Sequence, residues 1–434
     1  MVTPIETGGH TLTLLQGARE LFPRLIELLD QAEHDVWLAS YIFDLEASSA
    51  QVAQALTQAA ARGVQVHVLV DGFGSNGRVA ALRRTWMDTA VAFEVFRPLD
   101  RWTAWFQTSQ LRRLHQKLCV IDGRIAFVGG INVLDDHWDV KGRQHAEGRL
   151  DFAIEVQGPL VEQVRRIIQA LWTRSRMGHD WRDEFALIAA SQEPLQRTLQ
   201  LMRELRTVPT GVLRSQGRRV VDWVRRSTVG ALPPPGWTNP PGPAAQAALL
   251  VRDNVTQRRS IERAYVQAIR RAQVQVDLAC AYFYPGRAFR RALAGAAQRG
   301  VGVRLLLQGK PDYRLAAWAA RALYQDLLRQ GVLVYEYTHA HLHAKVAVID
   351  GQWATVGSSN IDPLSLLLNL EANVAVWDPT FARALAQRLD EAFERSVLIR
   401  PHHAPQGPRR WLFQGVVAWI SRVYLRVAGI KSRY

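Results

Sequence analysis

HQKLCVIDGRIAFVGGIN (115–132) and HAKVAVIDGQWATVGSSN (343–360) are two copies of one pattern. Each opens on a histidine, with lysine two positions on and aspartate seven on: His115, Lys117 and Asp122, then His343, Lys345 and Asp350. Gly129 and Gly357, and after them Asn132 and Asn360, follow at identical offsets. Imidazole, ammonium, carboxylate and amide repeated in register describe a duplicated phosphate-handling site. Lysine usage supports this. Of 54 Lys+Arg only five are lysine, at 117, 141, 310, 345 and 431, and two of those five hold the same motif position. A compact ammonium is wanted there, in a chain that otherwise uses the planar guanidinium.

The duplication extends outward from the motif. The pattern predicts helix 18–31, strand 35–43, helix 48–62 and strand 63–72, then again helix 261–272, strand 274–283, helix 287–299 and strand 300–309. AARGVQVHVLVDG and AQRGVGVRLLLQG are the clearest match, with Arg62-Gly63 and Arg299-Gly300 placing glycine where a helix ends. Each half adds its His-Lys-Asp strand and one more, LDFAIEV (150–156) or EANVAVW (371–377). Strand–helix–strand order implies an α/β fold with a parallel or mixed sheet covered by helices. The expected division is a first domain over 1–200, an Arg- and Pro-rich connector over 201–245, a second domain over 246–400 and a basic tail over 401–434. ALPPPGWTNPPGPAA (231–245) excludes a helix or central strand there.

Composition bounds the partner. A chain of 434 residues, 48% hydrophobic and 21% charged, can bury two cores. Its formal net charge of +15 points to an anionic partner, either nucleic acid or an acidic membrane leaflet. Cys119 and Cys280 lie in apolar strand-like runs and read as buried thiols in a reducing compartment. The start MVTPIETGGHTLTLL lacks signal-peptide character, and no run reaches the ~20 apolar residues of a spanning helix. The tail carries Arg422 and Arg426 beside Trp411, Val416, Trp419, Ile420, Val423 and Val427. It reads equally as an interfacial helix and as a terminal helix packed on its own domain. Trp102, Trp105 and Phe106 among Arg97, Arg101, Arg112 and Arg113 similarly form either a membrane-facing rim or a buried cluster.

On a strand, residues i and i+2 share a side, so His115 projects with Lys117 and His343 with Lys345. If the halves pack about a pseudo-twofold axis, two imidazoles and two ammonium groups surround one phosphate. One imidazole can then attack phosphorus while the other protonates the leaving oxygen. The lysines, Asn132, Asn360 and the Ser358 hydroxyl are the candidate phosphate ligands, and no metal or other cofactor is called for. Asp151 and Glu371, at equivalent places in the repeats, are candidates to fix an imidazole tautomer. Asp122 and Asp350 are expected to support the site from the strand end by bracing the turn that follows.

These residues resemble the phospholipase D superfamily over most of the chain. GSSNIDPLSLLLNLEAN (357–373), YIFDLEASSAQVAQALTQAAARGVQVHVLVDGFGS (41–75) and AYF (281–283) are similar to bacterial cardiolipin synthases, of the short B-type without transmembrane helices. The resemblance implies two similar phospholipase D-like domains with one site at their interface. It also implies phosphatidyl transfer from one phosphatidylglycerol to another through a phosphohistidine, with His115 as nucleophile and His343 as acid/base. A peripheral place on the cytoplasmic face of the bacterial inner membrane, with an anionic phospholipid and not nucleic acid as partner, goes with it. Gly130 stands where the second copy has Ser358, leaving the first half one hydroxyl fewer for phosphate.

Other readings compete. His339, His341 and His343 alternate as metal ligands would, but the first repeat has no counterpart. Lys310 and Asp312 lie beyond a strand end, where a head group or only solvent would meet them. Trp223 and Trp237 in the connector favour membrane contact over a merely solvated segment. Cleavage of other phospholipids or of nucleic acid would use the same motif, and a catalytically idle membrane scaffold would not need both copies complete.

Overall fold

Short turns and crossover helices alternate along both halves in the same order. The first half runs β1 (Ile5–Thr7), β2 (His10–Gln16), α1 (Gly17–Asp30), β3 (Asp35–Ser40), α2 (Ala47–Ala61) and β4 (Gln65–Asp71). It continues through α3 (Val79–Trp86), β5 (Ala92–Phe96), β6 (Arg113–Leu114), β7 (Lys117–Ile121), β8 (Ile125–Gly129), β9 (Phe152–Gln157) and α4 (Leu160–Ala190). The second half runs β10 (Ala247–Arg252), α5 (Ser260–Arg271), β11 (Gln275–Cys280), α6 (Arg287–Gln298), β12 (Gly302–Gln308) and β13 (Leu333–Tyr337). After these come β14 (Lys345–Ile349), β15 (Trp353–Gly357), β16 (Asn369–Val376), α7 (Pro379–Glu394) and β17 (Ser396–Ile399). This computed structural model describes residues 5–98, 112–139, 142–190, 246–252, 259–310, 324–362 and 369–400. The connector 201–245, the tail 401–434, most of the aromatic stretch after Arg97, and Asp312 lie outside the described residues.

The two sheets order as β1-β2-β9-β8-β7-β3-β4-β5 and β10-β16-β15-β14-β11-β12-β13-β17. Setting aside the edge strands β1 and β17, they are the same sheet twice. β3, β4 and β5 are parallel, whereas β3–β7, β7–β8, β8–β9 and β9–β2 are antiparallel. The sheet is therefore mixed, because only the parallel side needs long crossovers. The expected helices and strands are all present, with ends shifted by a few residues; the strand expected at 35–43 stops at Ser40.

Two local devices recur. Gly63 and Gly300 sit at φ +96° and +86° after α2 and α6, where a left-handed residue ends a helix. The arginines before them reach back to the preceding helix: Arg62 donates to the Leu29 carbonyl at 2.7 Å, and Arg299 to Ile269 and Ala272. A cation there answers the carbonyls that a helix C-terminus leaves unpaired.

Each sheet has an outer core under its helices. Leu21, Phe22, Leu25, Val52 and Leu56 of α1 and α2 pack on Val66 and Val68. Ile261, Tyr265, Phe289 and Leu293 do the same in the second half. Cys119 and Cys280 lie in these cores as free, buried thiols. The inner faces share one further core, with Val120, Val128, Ile154 and Val164 meeting Val346, Val356, Val374 and Leu385. α4 also lies on β10 and α7 on β2, each helix crossing to the other half. Backbone pairing stitches the same seam: β6 is parallel to β16, and Leu150 bridges Leu342. Among the described residues no helix is long and apolar enough to cross a membrane.

Candidate active site

The seam brings the two motifs together. The His115 amide donates to the Leu370 carbonyl at 3.1 Å, and the His343 amide to the Leu150 carbonyl at 2.8 Å. Each motif histidine is thus anchored on the strand that enters the other half's carboxylate. The side chains follow. His115 Nδ1 lies 3.0 Å from Glu371 Oε2, and His343 Nδ1 lies 2.5 Å from Asp151 Oδ2. The imidazole–carboxylate pairs are crossed between the halves, a feature that linear spacing cannot show. A carboxylate holding Nδ1–H leaves Nε2 as the free base on each ring.

The lysines close the same unit. Lys117 Nζ donates to the His115 carbonyl at 2.6 Å, and Lys345 Nζ to that of His343. Lys117, Lys345, Asp151 and Glu371 are all buried. Burial pushes the His115 imidazole down to about 4, opposed by Glu371 and reinforced by Lys117 and Lys345. His343 is lowered well below its ordinary range by burial, then by Lys345, Lys117 and Arg149, and also by His115. Groups from both repeats therefore act on each ring, as one site requires. Burial brings Lys117 down to about 7 against the pull of Glu371.

The two carboxylates differ. Burial raises Asp151 to about 6, although Lys345 draws it back. Burial also opposes ionisation of Glu371, yet His115 and the buried Arg252 hold it down at about 2. Arg252 Nη2 is 3.4 Å from Glu371 Oε1, and Ser358 Oγ donates to Glu371 Oε2 at 2.5 Å. The single hydrogen of the Ser358 hydroxyl is thus given to Glu371, where a phosphate contact was expected of it. Gly130 is no missing hydroxyl either: a Cβ there would overlap the Asp151 carboxylate.

Asn132 and Asn360 accept from the backbone N–H groups of Ile42 and Tyr282 through Oδ1, at 3.2 and 3.4 Å. That leaves Nδ2 of each amide as the donor turned elsewhere. Asp122 and Asp350 stand apart, beyond the far end of strands that begin at Lys117 and Lys345. Asp122 accepts from the N–H groups of Glu33, His34 and Asp35 at 2.7–3.0 Å, and Asp350 from Gln273, Val274 and Gln275 at 2.8–2.9 Å. They support the site from the strand end as expected in position, but by clamping the segment entering β3 and β11 and not by bracing the turn that follows them. Burial would raise Asp122, but the three N–H donors hold it below its ordinary value.

Sequence reasoning missed three neighbours. Tyr41 packs its ring edge on His115 at 4.8 Å and lies 5.3 Å under Lys117 Nζ. Asp71, fully buried, accepts from the Leu114 amide at 2.8 Å and positions the residue before His115. Arg252 secures Glu371. YIFD and the strand-final aspartate carried no independent signal for this. The alternating histidines diverge: His339 pairs with Glu147, His341 meets Gln308, and only His343 enters the site. Among the described residues no group of His, Cys, Asp or Glu has metal-site geometry.

The family model described as "Cardiolipin synthase, PLD-like domain" matches residues 25–172 and 265–397, once per half. Cardiolipin synthase B of Shigella flexneri is 35% identical over 382 residues, covering 88% of this chain and 80% of that one. Cardiolipin synthase of Geobacillus kaustophilus is 28% identical, covering 94% and 70%. In fold, the chain resembles the phosphatidylserine synthase of Haemophilus influenzae Rd KW20, with a TM-score of 0.59 at 12% identity over 98% of this chain and 95% of that one. A doubled sheet, a crossed pair of histidines and a family match in each half agree, and the chain belongs to the cardiolipin synthase family of phospholipase D-like enzymes.

Proposed function

We propose that this enzyme makes cardiolipin by moving a phosphatidyl group between two phosphatidylglycerol molecules through a phosphohistidine. His115 Nε2 attacks phosphorus, the bond from phosphorus to the head-group glycerol breaks, and His343 gives its proton to that oxygen. The hydroxyl of a second phosphatidylglycerol then passes its proton to His343 and attacks phosphorus. The phosphorus–nitrogen bond breaks, and cardiolipin, glycerol and free His115 result. Lys117, Lys345 and the Asn132 and Asn360 amides hold the phosphoryl oxygens as charge develops. An arriving phosphate anion raises the depressed pKa of His343, so its proton comes with substrate.

The crossed histidine–carboxylate pairs carry this reading, because each half supplies what the other's imidazole needs. His115 suits the nucleophile: its partner Glu371 stays anionic, and its side chain is 10% exposed against 22% for His343. The more open His343 meets departing and arriving alcohols. The +15 charge suits peripheral binding to an anionic cytoplasmic leaflet of the inner membrane. We read 1–200 and 246–400 as the two domains, joined by the basic connector.

Pure enzyme given phosphatidylglycerol labelled in its phosphatidyl phosphate should release cardiolipin and glycerol. His343→Ala should accumulate acid-labile label on the protein, and His115→Ala should acquire none. Cleavage of single-stranded DNA with no cardiolipin product would overturn the proposal.

A further inference from the structure

The pseudo-twofold relation is broken beside the histidines. In register, Asp151 corresponds to Glu371, so Arg149 corresponds to Asn369, and Leu114 to Leu342 makes His341 the counterpart of Arg113. On the His115 side the amide of Asn369 donates to Glu371 Oε1 at 3.3 Å. Arg113 is buried there, bonded to the Arg97 carbonyl and 5.2 Å over the Phe73 ring. Both groups are consumed internally.

The His343 side differs. Arg149 lies two residues before Asp151, so its side chain leaves the same face of the chain as the carboxylate that holds His343. Its backbone is fixed by the Asp136 carbonyl, accepting at 3.0 Å. Its guanidinium is half-buried, donates to the Trp138 carbonyl at 2.9 Å, and closes no ion pair among the described residues. Its charge is felt by the buried Asp136 carboxylate and, towards the site, by His343, Lys345 and Asp151. A guanidinium with most of its fork uncommitted, at the rim of a phosphate site, is suited to a second phosphate.

We infer that Arg149 binds the phosphate of the acceptor lipid, and so selects a phosphodiester-bearing alcohol over water. This rests on the proposed synthase reading, in which the acceptor hydroxyl approaches His343. In phosphatidylglycerol that hydroxyl sits a three-carbon bridge from the lipid's own phosphate, which then falls on the His343 side. Water, the competing acceptor, has nothing for Arg149 to hold. Arg149 is on this account a specificity residue and not a proton carrier.

Partitioning of the common phosphohistidine intermediate tests it. With labelled phosphatidylglycerol in mixed micelles, the ratio of cardiolipin to phosphatidic acid is measured for wild type, Arg149→Lys and Arg149→Gln. The ratio does not depend on how much protein is folded or how fast the intermediate forms. Losing a charge-assisted phosphate contact should cut it on the order of 10-fold in Arg149→Gln. Arg149→Lys should lie between. An unchanged ratio in Arg149→Gln, with cardiolipin still made, overturns the inference alone. A wild type yielding phosphatidic acid without cardiolipin overturns the synthase reading and this inference with it.

Discussion

Replacing Asp122 by alanine separates structure from chemistry within the motif. Asp122 occupies a turn between β7 and β8 with φ +51°, followed by Gly123 at +62°, and Asp350-Gly351 repeats it at +54° and +59°. Left-handed values at both central residues define the two-residue hairpin turn that favours Asp-Gly. The carboxylate meanwhile takes three N–H groups, of which those of Glu33 and His34 are exposed and that of Asp35 is part-buried. Water replaces the aspartate readily at the two exposed donors, so each costs only a few tenths of a kcal/mol. The part-buried donor and the alanine's left-handed φ add about 1 kcal/mol each, giving roughly 2–3 kcal/mol in all. Asp122→Asn should cost about half of this, since asparagine tolerates the left-handed turn and keeps an acceptor.

The assay is urea unfolding run beside steady-state turnover. Asp122→Ala should shift the unfolding midpoint down while kcat/KM per folded molecule stays within about two-fold of wild type, because no bond links Asp122 to His115 or Lys117. His115→Ala should show the reverse, with activity lost and the midpoint kept. A hundred-fold fall in kcat/KM for a fully folded Asp122→Ala would refute the assignment of this aspartate to the β3 clamp.

Two further outcomes follow from the asymmetry of the carboxylates. The kcat/KM profile of the free enzyme should be bell-shaped and narrow. Asp151 must be ionised to hold His343, so activity falls as pH drops through about 6, and it falls again as Lys117 loses its proton above about 7. Asp151→Asn should remove the acidic limb along with most of the rate, which a pH series on that variant checks. Gly130→Ser, which copies the second repeat into the first, should displace the Asp151 carboxylate and lower turnover at least ten-fold. Ser358→Gly keeps Arg252 on Glu371 and should be the milder of the two by the same assay.

The helix and strand order was legible because the outer helices bury stripes such as Leu21, Leu25 and Leu28, and the strands are continuous apolar runs. The residues that gather at the candidate site were legible because a rare lysine recurs at a fixed distance from histidine. What each group touches was not. Glu371 and His115 are 256 residues apart, and only packing of the two sheets decides that the carboxylates cross over. Ser358 looks like a phosphate ligand in sequence because a hydroxyl after glycine commonly is. Its partner, Glu371, becomes a neighbour only when β15 and β16 pair. Spacing alone put Asp122 a whole strand, about 17 Å at the usual rise, from Lys117; what it does not show is the segment that Asp122 clamps, Glu33 to Asp35, nearly ninety residues earlier.

The two repeats surround their histidines unequally, and two copies on one chain permit that. A homodimer of one such domain would be bound to place identical groups around phosphorus, whereas in the proposed reaction one histidine bears the phosphatidyl group and the other handles protons. Fusing two copies releases that constraint. Glu371 has Arg252 and Ser358 as partners and is held anionic beside His115. Asp151 kept a glycine neighbour and a pKa raised toward neutrality beside the more open His343. Glu371, held anionic, fixes the tautomer of His115, the proposed nucleophile, without competing for its proton. Asp151, raised by burial, must still be ionised to accept from His343 Nδ1. On the proposed mechanism the division of labour between the histidines follows their carboxylates, each supplied by the opposite half.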